Sequence, residues 1–226
     1  MSRIVALVPM RHESVRVPGK NYRPFAGRPL YQHIIQALLD CPLIEEVIID
    51  TDSPAIMKDA EKAFPQVRLM ERPEHLRVDT MPMNEVLLNT VRQIDADYYL
   101  QTHSTNPLLK AETITGAIET FLAERPAYDS LFGVTGLQVR LWDQLTQAVN
   151  HNPNILLRTQ DLPPIYMENS NLYLFTQEIL ERRHNRIGER PLMFDIDARE
   201  AWDIDDEFGF HVGEILFKER QKETGK

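Results

Sequence analysis

The chain of 226 residues has a single cysteine, Cys41, so no internal disulfide can form. No cysteine and histidine cluster surrounds it that would bind zinc, and it reads as a structural thiol. Long apolar runs are also missing. Ile4 to Val8 is about half of a signal-peptide core and far below the ~20 residues of a membrane span, so no membrane partner is expected and the cytoplasm is the default location. There is no excess of positive charge: 34 acids against 25 bases leave a net charge of -9. Such a chain repels phosphate backbones at long range, which argues against nucleic acid as a partner. Internal repeats and low-complexity segments are absent. So are the two common glycine-rich phosphate motifs: Gly19-Lys20 is followed by Asn21, with no glycine five residues before it, and no G-x-G-x-x-G occurs.

What the sequence does have is a local reversal of charge. In "VPMRHESVRVPGKNYRPFAGRPL", Arg11, Arg16, Lys20, Arg23 and Arg28 face one acid, Glu13. The stretch follows the run Ile4 to Val8, which has no polar alternation and predicts a strand buried on both faces, ending at Pro9. Leu30, Ile34, Ile35, Leu38 and Leu39 recur at helical spacing after Pro29. Strands near 47–49, 67–70, 98–101 and 130–134 then alternate with helices near 54–63, 82–94 and 111–122. That alternation predicts βαβ units and a mostly parallel α/β sheet in one domain over 1–226. From 137 to 164 the pattern breaks into an excursion rich in Asn, Gln and Pro, read as a β-hairpin arm. "NSNLYLF" returns to strand, and 207–220 reads as a closing helix.

Ligands of open α/β sheets bind beyond the carboxyl ends of the strands, which is where a loop after the first strand lies. Lys20 and Arg11, with backbone N–H groups of the loop, suit a small polyphosphate, Lys20 being read as an exposed loop lysine. The plain alternative is a solvated basic loop. "AWDIDDEF" sets Asp203 and Asp205 two residues apart, on one side of an extended segment, and two such carboxylates plus substrate phosphates suit Mg²⁺. An acidic turn capping the next helix is the competing reading. Asp50/Asp52 and Asp195/Asp197 share the spacing, so spacing does not choose among the three pairs. Tyr173, Phe175, Trp142 and Trp202 are assigned to packing.

The segments "RHESVRVPGKNYRPFAGRPL", "DTDS", "RPEHLRVD", "STNPLL", "RTQDLPPIYMENSNLYLF" and "AWDIDDEF" occur in the order and at about the spacing found in the acylneuraminate cytidylyltransferase family. The chain resembles that family from its first strand to its last helix. The resemblance implies a Rossmann-like nucleotidyltransferase fold of the GT-A-like kind, flanked by helices. It implies transfer of CMP from CTP to the anomeric hydroxyl of an acidic 2-keto sugar, releasing pyrophosphate, with Mg²⁺ as cofactor and a homodimer built on the 137–164 excursion. It further implies that Arg11, Ser14, Lys20, Asn21 and Arg72 hold the nucleotide, and that His103, Thr105, Asn169, Arg158 and Gln160 serve the sugar. Asp203 and Asp205 take the position of the metal-binding aspartates. This chain departs from the family pattern at His12-Glu13, where small residues are usual, at Ser170, where glycine follows the asparagine, and at His103, which falls on a glutamine position that Gln101 fits only with a two-residue shift. Two other classes share parts of this pattern: a nucleotide-sugar-dependent glycosyltransferase and a non-catalytic sugar-nucleotide-binding homologue.

Overall fold

The N-terminal apolar run becomes β1 (Ile4–Met10), every residue of it buried, in a computed structural model that describes residues 2–223 and 225. A small hairpin of β2 (Pro24–Phe25) and β3 (Arg28–Pro29) leads into α1 (Leu30–Leu39). There follow β4 (Glu46–Thr51), α2 (Pro54–Ala63), β5 (Arg68–Glu71), α3 (Met83–Val91), β6 (Tyr98–Thr102) and α4 (Ala111–Ala123). The C-terminal part comprises β7 (Ser130–Leu137), β8 (Ile165–Phe175), α5 (Gln177–Arg183), β9 (Pro191–Asp195) and α6 (Glu207–Glu223).

Seven strands form one sheet in the order β5-β4-β1-β6-β8-β7-β9. Only β8 runs against the rest, antiparallel to both β6 and β7, so the sheet is mostly parallel. The period-2 geometry of the strands sorts their side chains into two cores. Ile4, Ala6 and Val8 face α1, α2 and α4, whereas Val5 and Leu7 face α3 and α5. A third apolar cluster joins Val17, Phe25 and Leu30 to Ile204, Phe210 and Phe217, fixing α6 and the segment before it onto the basic loop.

Four expectations change. β1 continues through Pro9 to Met10, because beyond Leu7 it pairs with β4 alone and the missing proline N–H interrupts a half-open edge. α5 and β9 were not foreseen. The antiparallel pair is the β7–β8 ladder itself, extending to Leu137 opposite Ile165, while residues 138–164 at its tip contain one isolated bridge, Trp142 to Ala148, and not a hairpin. Lys20 is 9% exposed and so is not a solvated loop lysine.

Candidate active site

After β1 the chain crosses through α1 to β4 and β5 on one side, then returns through α3 to β6 on the other side of β1. The carboxyl ends of β1 and β6 therefore flank a topological switch point, the usual binding crevice of such sheets. A cleft of about 510 Å³ opens there. From the basic loop Arg11, Ser14, Arg16, Lys20 and Asn21 line it; from the turn after β6 come His103, Ser104 and Thr105; Asp203 and Asp205 line it from the segment before α6.

The local sequence explains the loop's shape. Gly19 takes a left-handed φ of 65°, and a Cβ there would lie 2.9 Å from the Tyr22 ring, so a glycine starts the short 3-10 helix from Lys20 to Tyr22. Asn21 ties the loop down, its amide nitrogen donating to the Arg11 carbonyl at 2.7 Å while its oxygen accepts from Ser104 Oγ at 2.7 Å. Arg11 donates to the carbonyls of Asp79 at 2.8 Å and Met81 at 3.4 Å and so draws the loop before α3 to the cleft. His12 turns away, its backbone N–H donating to Asp52 and its ring stacking on Tyr22.

Ile204 is fully buried, and its N–H donates to the Thr105 carbonyl at 3.0 Å. With Ile204 in the core, the flanking Asp203 and Asp205 both reach the cleft. Lys20 Nζ donates to the Ile204 carbonyl at 2.6 Å, between the two acids. Burial lowers the Lys20 ammonium from its ordinary value, and the attraction of Asp203 and Asp205 opposes this. Burial raises Asp203, with Asp205 adding to the effect and Thr105 and Lys20 working against it. Arg16 Nη2 donates to Asp205 Oδ1 at 2.6 Å. His103 is pushed down to about 4, first by burial and then by the cations Arg186 and Lys20, so it is a neutral imidazole near pH 7.

The other acidic pairs are differently employed. Asp50 is buried and accepts from Arg72 Nε at 2.7 Å and Thr90 Oγ1 at 2.8 Å, and Asp52 accepts from the His12 N–H. Asp195 accepts from the Gly136 N–H at 3.0 Å, and Asp197 pairs with Arg199. Asp203 and Asp205 offer hard oxygen donors with room for phosphate, a donor set that fits Mg²⁺.

Four sequence-derived candidates lie outside the cleft lining. Arg72 is 1% exposed and its guanidinium is taken by the Asp50 carboxylate and carbonyl. Asn169 is buried, donating to Thr135 Oγ1 at 3.0 Å and accepting from the Asn171 N–H at 3.1 Å. Gly133 makes room for it, since a Cβ there would stand 2.7 Å from its Oδ1. Arg158 and Gln160 are exposed on the excursion, Arg158 paired with Asp161. Ser104 lines the cleft, as expected of the "STNPL" turn; conversely, Arg16, Asp79 and Ser170 line it without having been given a role there. Arg16 was legible as the second arginine of R-x-x-S-x-R, and Asp79 as the last residue of "RPEHLRVD", a segment in which only Arg72 was given a role.

Against known proteins, a family model described as cytidylyltransferase matches residues 5–222. The chain is 28% identical to the CMP-N,N'-diacetyllegionaminic acid synthase of Legionella pneumophila over 97% of this chain and 98% of that protein. It is 23% identical to the pseudaminic acid cytidylyltransferase of Campylobacter jejuni, over 95% and 96%. It is 26% identical to the N-acylneuraminate cytidylyltransferase A of Danio rerio, over 93% of this chain and 50% of that protein. The fold is similar to that of CMP:2-keto-3-deoxy-manno-octonic acid synthetase complexed with CTP, with a TM-score of 0.71, 15% identity and coverage of 97% and 100%. 4-Diphosphocytidyl-2C-methyl-D-erythritol synthase is similar at a TM-score of 0.69, with 15% identity and coverage of 96% and 100%. The family match extends over nearly the whole sheet and takes in both the basic loop and the Asp203/Asp205 segment, and the chain belongs to the cytidylyltransferase family.

Proposed function

We propose that the protein transfers CMP from CTP to the anomeric hydroxyl of an acidic 2-keto sugar and releases pyrophosphate. One observation carries the chemistry: Lys20, Arg11 and Arg16 share a cleft at the switch point with Asp203 and Asp205, Lys20 lying between the two acids and Arg16 paired with Asp205. The sugar class is supported by relatives matched over nearly their whole length, a CMP-N,N'-diacetyllegionaminic acid synthase and a pseudaminic acid cytidylyltransferase.

In the reaction the sugar oxygen bonds to the α-phosphorus, the bond from that phosphorus to the β-bridging oxygen breaks, and the hydroxyl proton is released. Lys20 and Arg11 neutralise charge on the departing pyrophosphate, and Arg16 leaves Asp205 to join them. Asp203 and Asp205 would hold a Mg²⁺ ion, which when bound supplies further charge neutralisation to the phosphates. Asn21 and Ser104 fix the loop, while His103 and Thr105 present neutral donors and acceptors to the sugar.

The active unit on this reading is a homodimer in the cytoplasm. No helix among the described residues is long and apolar enough to cross a membrane. The 138–164 excursion and the strands beside it expose Leu145, Val149, Ile155 and Leu156, an apolar surface that fits burial against a second copy. Arg158 and Gln160, which lie away from their own chain's cleft, are assigned to the partner's.

Pyrophosphate release, measured with CTP and a panel of 2-keto acid sugars, tests this. Sugar-dependent release with CTP, and little with ATP, is expected. A glycosyltransferase would instead consume a nucleotide sugar, and a binding homologue would release nothing.

A further inference from the structure

A 2-keto acid sugar carries its carboxylate on the same carbon as the attacking hydroxyl. The carboxylate must therefore enter the cleft beside the polyphosphate, whose charge already occupies the cations of the basic loop. A separate cation at the wall formed by β6 and β8 would remove this repulsion. Building on the function proposed above, we propose that Arg186, in the segment between α5 and β9, receives the sugar carboxylate.

Arg186 is held as a waiting fork. Its guanidinium carbon lies 3.8 Å from the centroid of the Tyr173 ring, and Nη1 donates to the Gln101 amide oxygen. Both partners are neutral. Nε is buried and has no hydrogen-bond partner among the described residues. Neighbouring arginines differ: Arg182 and Arg183 pair with Glu189, and the buried Arg72 has Asp50. No carboxylate oxygen among the described residues lies within ion-pairing distance of Arg186; the nearby Glu168 accepts from the Tyr173 hydroxyl instead. A partly desolvated guanidinium without a counter-ion is costly to keep, and stacking with one amide hydrogen bond offsets only part of that cost. An arriving carboxylate completes the arrangement with charge-assisted hydrogen bonds.

Two contacts link this arginine to the cleft. The Gln101 amide turns its oxygen to Arg186 and its nitrogen to His103 Nε2 at 3.1 Å, and His103 lines the cleft. The Tyr173 hydroxyl, its proton directed at Glu168, accepts from Ser170 Oγ at 3.3 Å, and Ser170 lines it as well. Arg186 thus stands one side chain behind the wall made by His103 and Ser170, remote in sequence from the phosphate-facing loop.

Steady-state kinetics of Arg186→Gln test the assignment, varying sugar acid at saturating CTP and CTP at saturating sugar. The KM for the sugar acid should rise about 10- to 100-fold, the loss expected for a charge-assisted contact, with the KM for CTP changed less than about twofold. Wild type should prefer the free acid over its neutral carboxamide, and Arg186→Gln should lose most of that preference. An unchanged sugar KM, an equal rise in both KM values, or a retained preference for the acid overturns the inference. If Arg186→Gln melts early, Arg186→Lys keeps the charge and the aliphatic stem, and at least a threefold rise in sugar KM alone is then the expected result; no rise overturns it. Failure of wild type to use any 2-keto acid sugar would sink the proposed function and this inference with it, whereas normal wild-type turnover with an unaffected variant removes only Arg186.

Discussion

At the scale of single residues, the Asp203/Asp205 pair separates a metal site from a helix cap. Asp→Asn at either position keeps shape and hydrogen bonding but removes a charge. Metal ligation then predicts a rise of about tenfold or more in the Mg²⁺ concentration giving half-maximal rate, with the melting temperature held or slightly raised because two repelling acids become one. A capping role predicts little change in either, since Asn caps nearly as well as Asp. Initial rate against Mg²⁺, beside thermal melting of each variant, decides; wild-type rates at sub-millimolar Mg²⁺ would rule out the pair as metal ligands. The pair was visible in the sequence because an i, i+2 spacing around an apolar residue has a fixed geometry, with Ile204 inward and both acids outward. The fate of Arg72 was not visible. A motif position gives a residue an address, but its 2.7 Å ion pair with Asp50 depends on β4 and β5 lying side by side, which no local pattern specifies. The burial of Lys20 was hidden for the same reason: α6, about 190 residues on, brings the covering cluster.

At the scale of elements, that same ion pair links β4 and β5 to α3, because Thr90 of α3 also donates to Asp50. Arg72→Leu leaves a buried carboxylate with one hydroxyl partner, and a loss of about 3–5 kcal/mol is expected, read as a lower midpoint in urea unfolding. A loss under about 1 kcal/mol would show that the pair does not fasten these elements. A second fastening is His33 of α1, whose Nε2–H meets the Phe25 carbonyl at 2.8 Å and holds the β2–β3 hairpin. Burial lowers this imidazole to about 4 from its ordinary 6.5. Between those values the unfolded chain binds a proton that the native state refuses, so stability is lost as pH falls from 6.5 toward 4. By pH 5 the loss amounts to about 2 kcal/mol. His33→Gln should therefore lose less stability than wild type between pH 7 and pH 5, and parallel curves would refute the assignment. Elements with strong periodicity were legible, β1 and α1 above all. The seven-residue α5 spans too few turns to show a period, and β9 is a half-exposed edge strand, so neither announced itself.

At the scale of the whole molecule, the 138–164 excursion is a segment without a core of its own. Its isolated bridge and the Trp142–His151 ring contact leave Leu145 at 71% and Leu156 at 90% exposure, with Tyr166 and Met167 of β8 also uncovered. An acidic chain of net charge -9 opposes close approach of two copies, so any association must rest on this apolar surface and not on general attraction. In the proposed two-fold dimer each arm would lie on its partner, with Arg158 and Gln160 directed to the other cleft. Mixed dimers expose that exchange. One subunit carries Lys20→Met, which disables its own cleft but leaves its arm intact; the other carries Arg158→Ala, which spoils its arm but leaves its loop intact. Each pure variant should be nearly inactive. In a mixed dimer the Arg158→Ala subunit has an intact loop and receives an intact arm, so one cleft of two works; with random assembly half the dimers are mixed, and about a quarter of wild-type activity returns. No recovery on mixing after unfolding and joint refolding, with dimers confirmed by sedimentation, would show that each arm serves its own chain, and a fully active pure Arg158→Ala dimer would show that it serves no cleft at all. A wild-type monomer at micromolar concentration would remove the dimer itself.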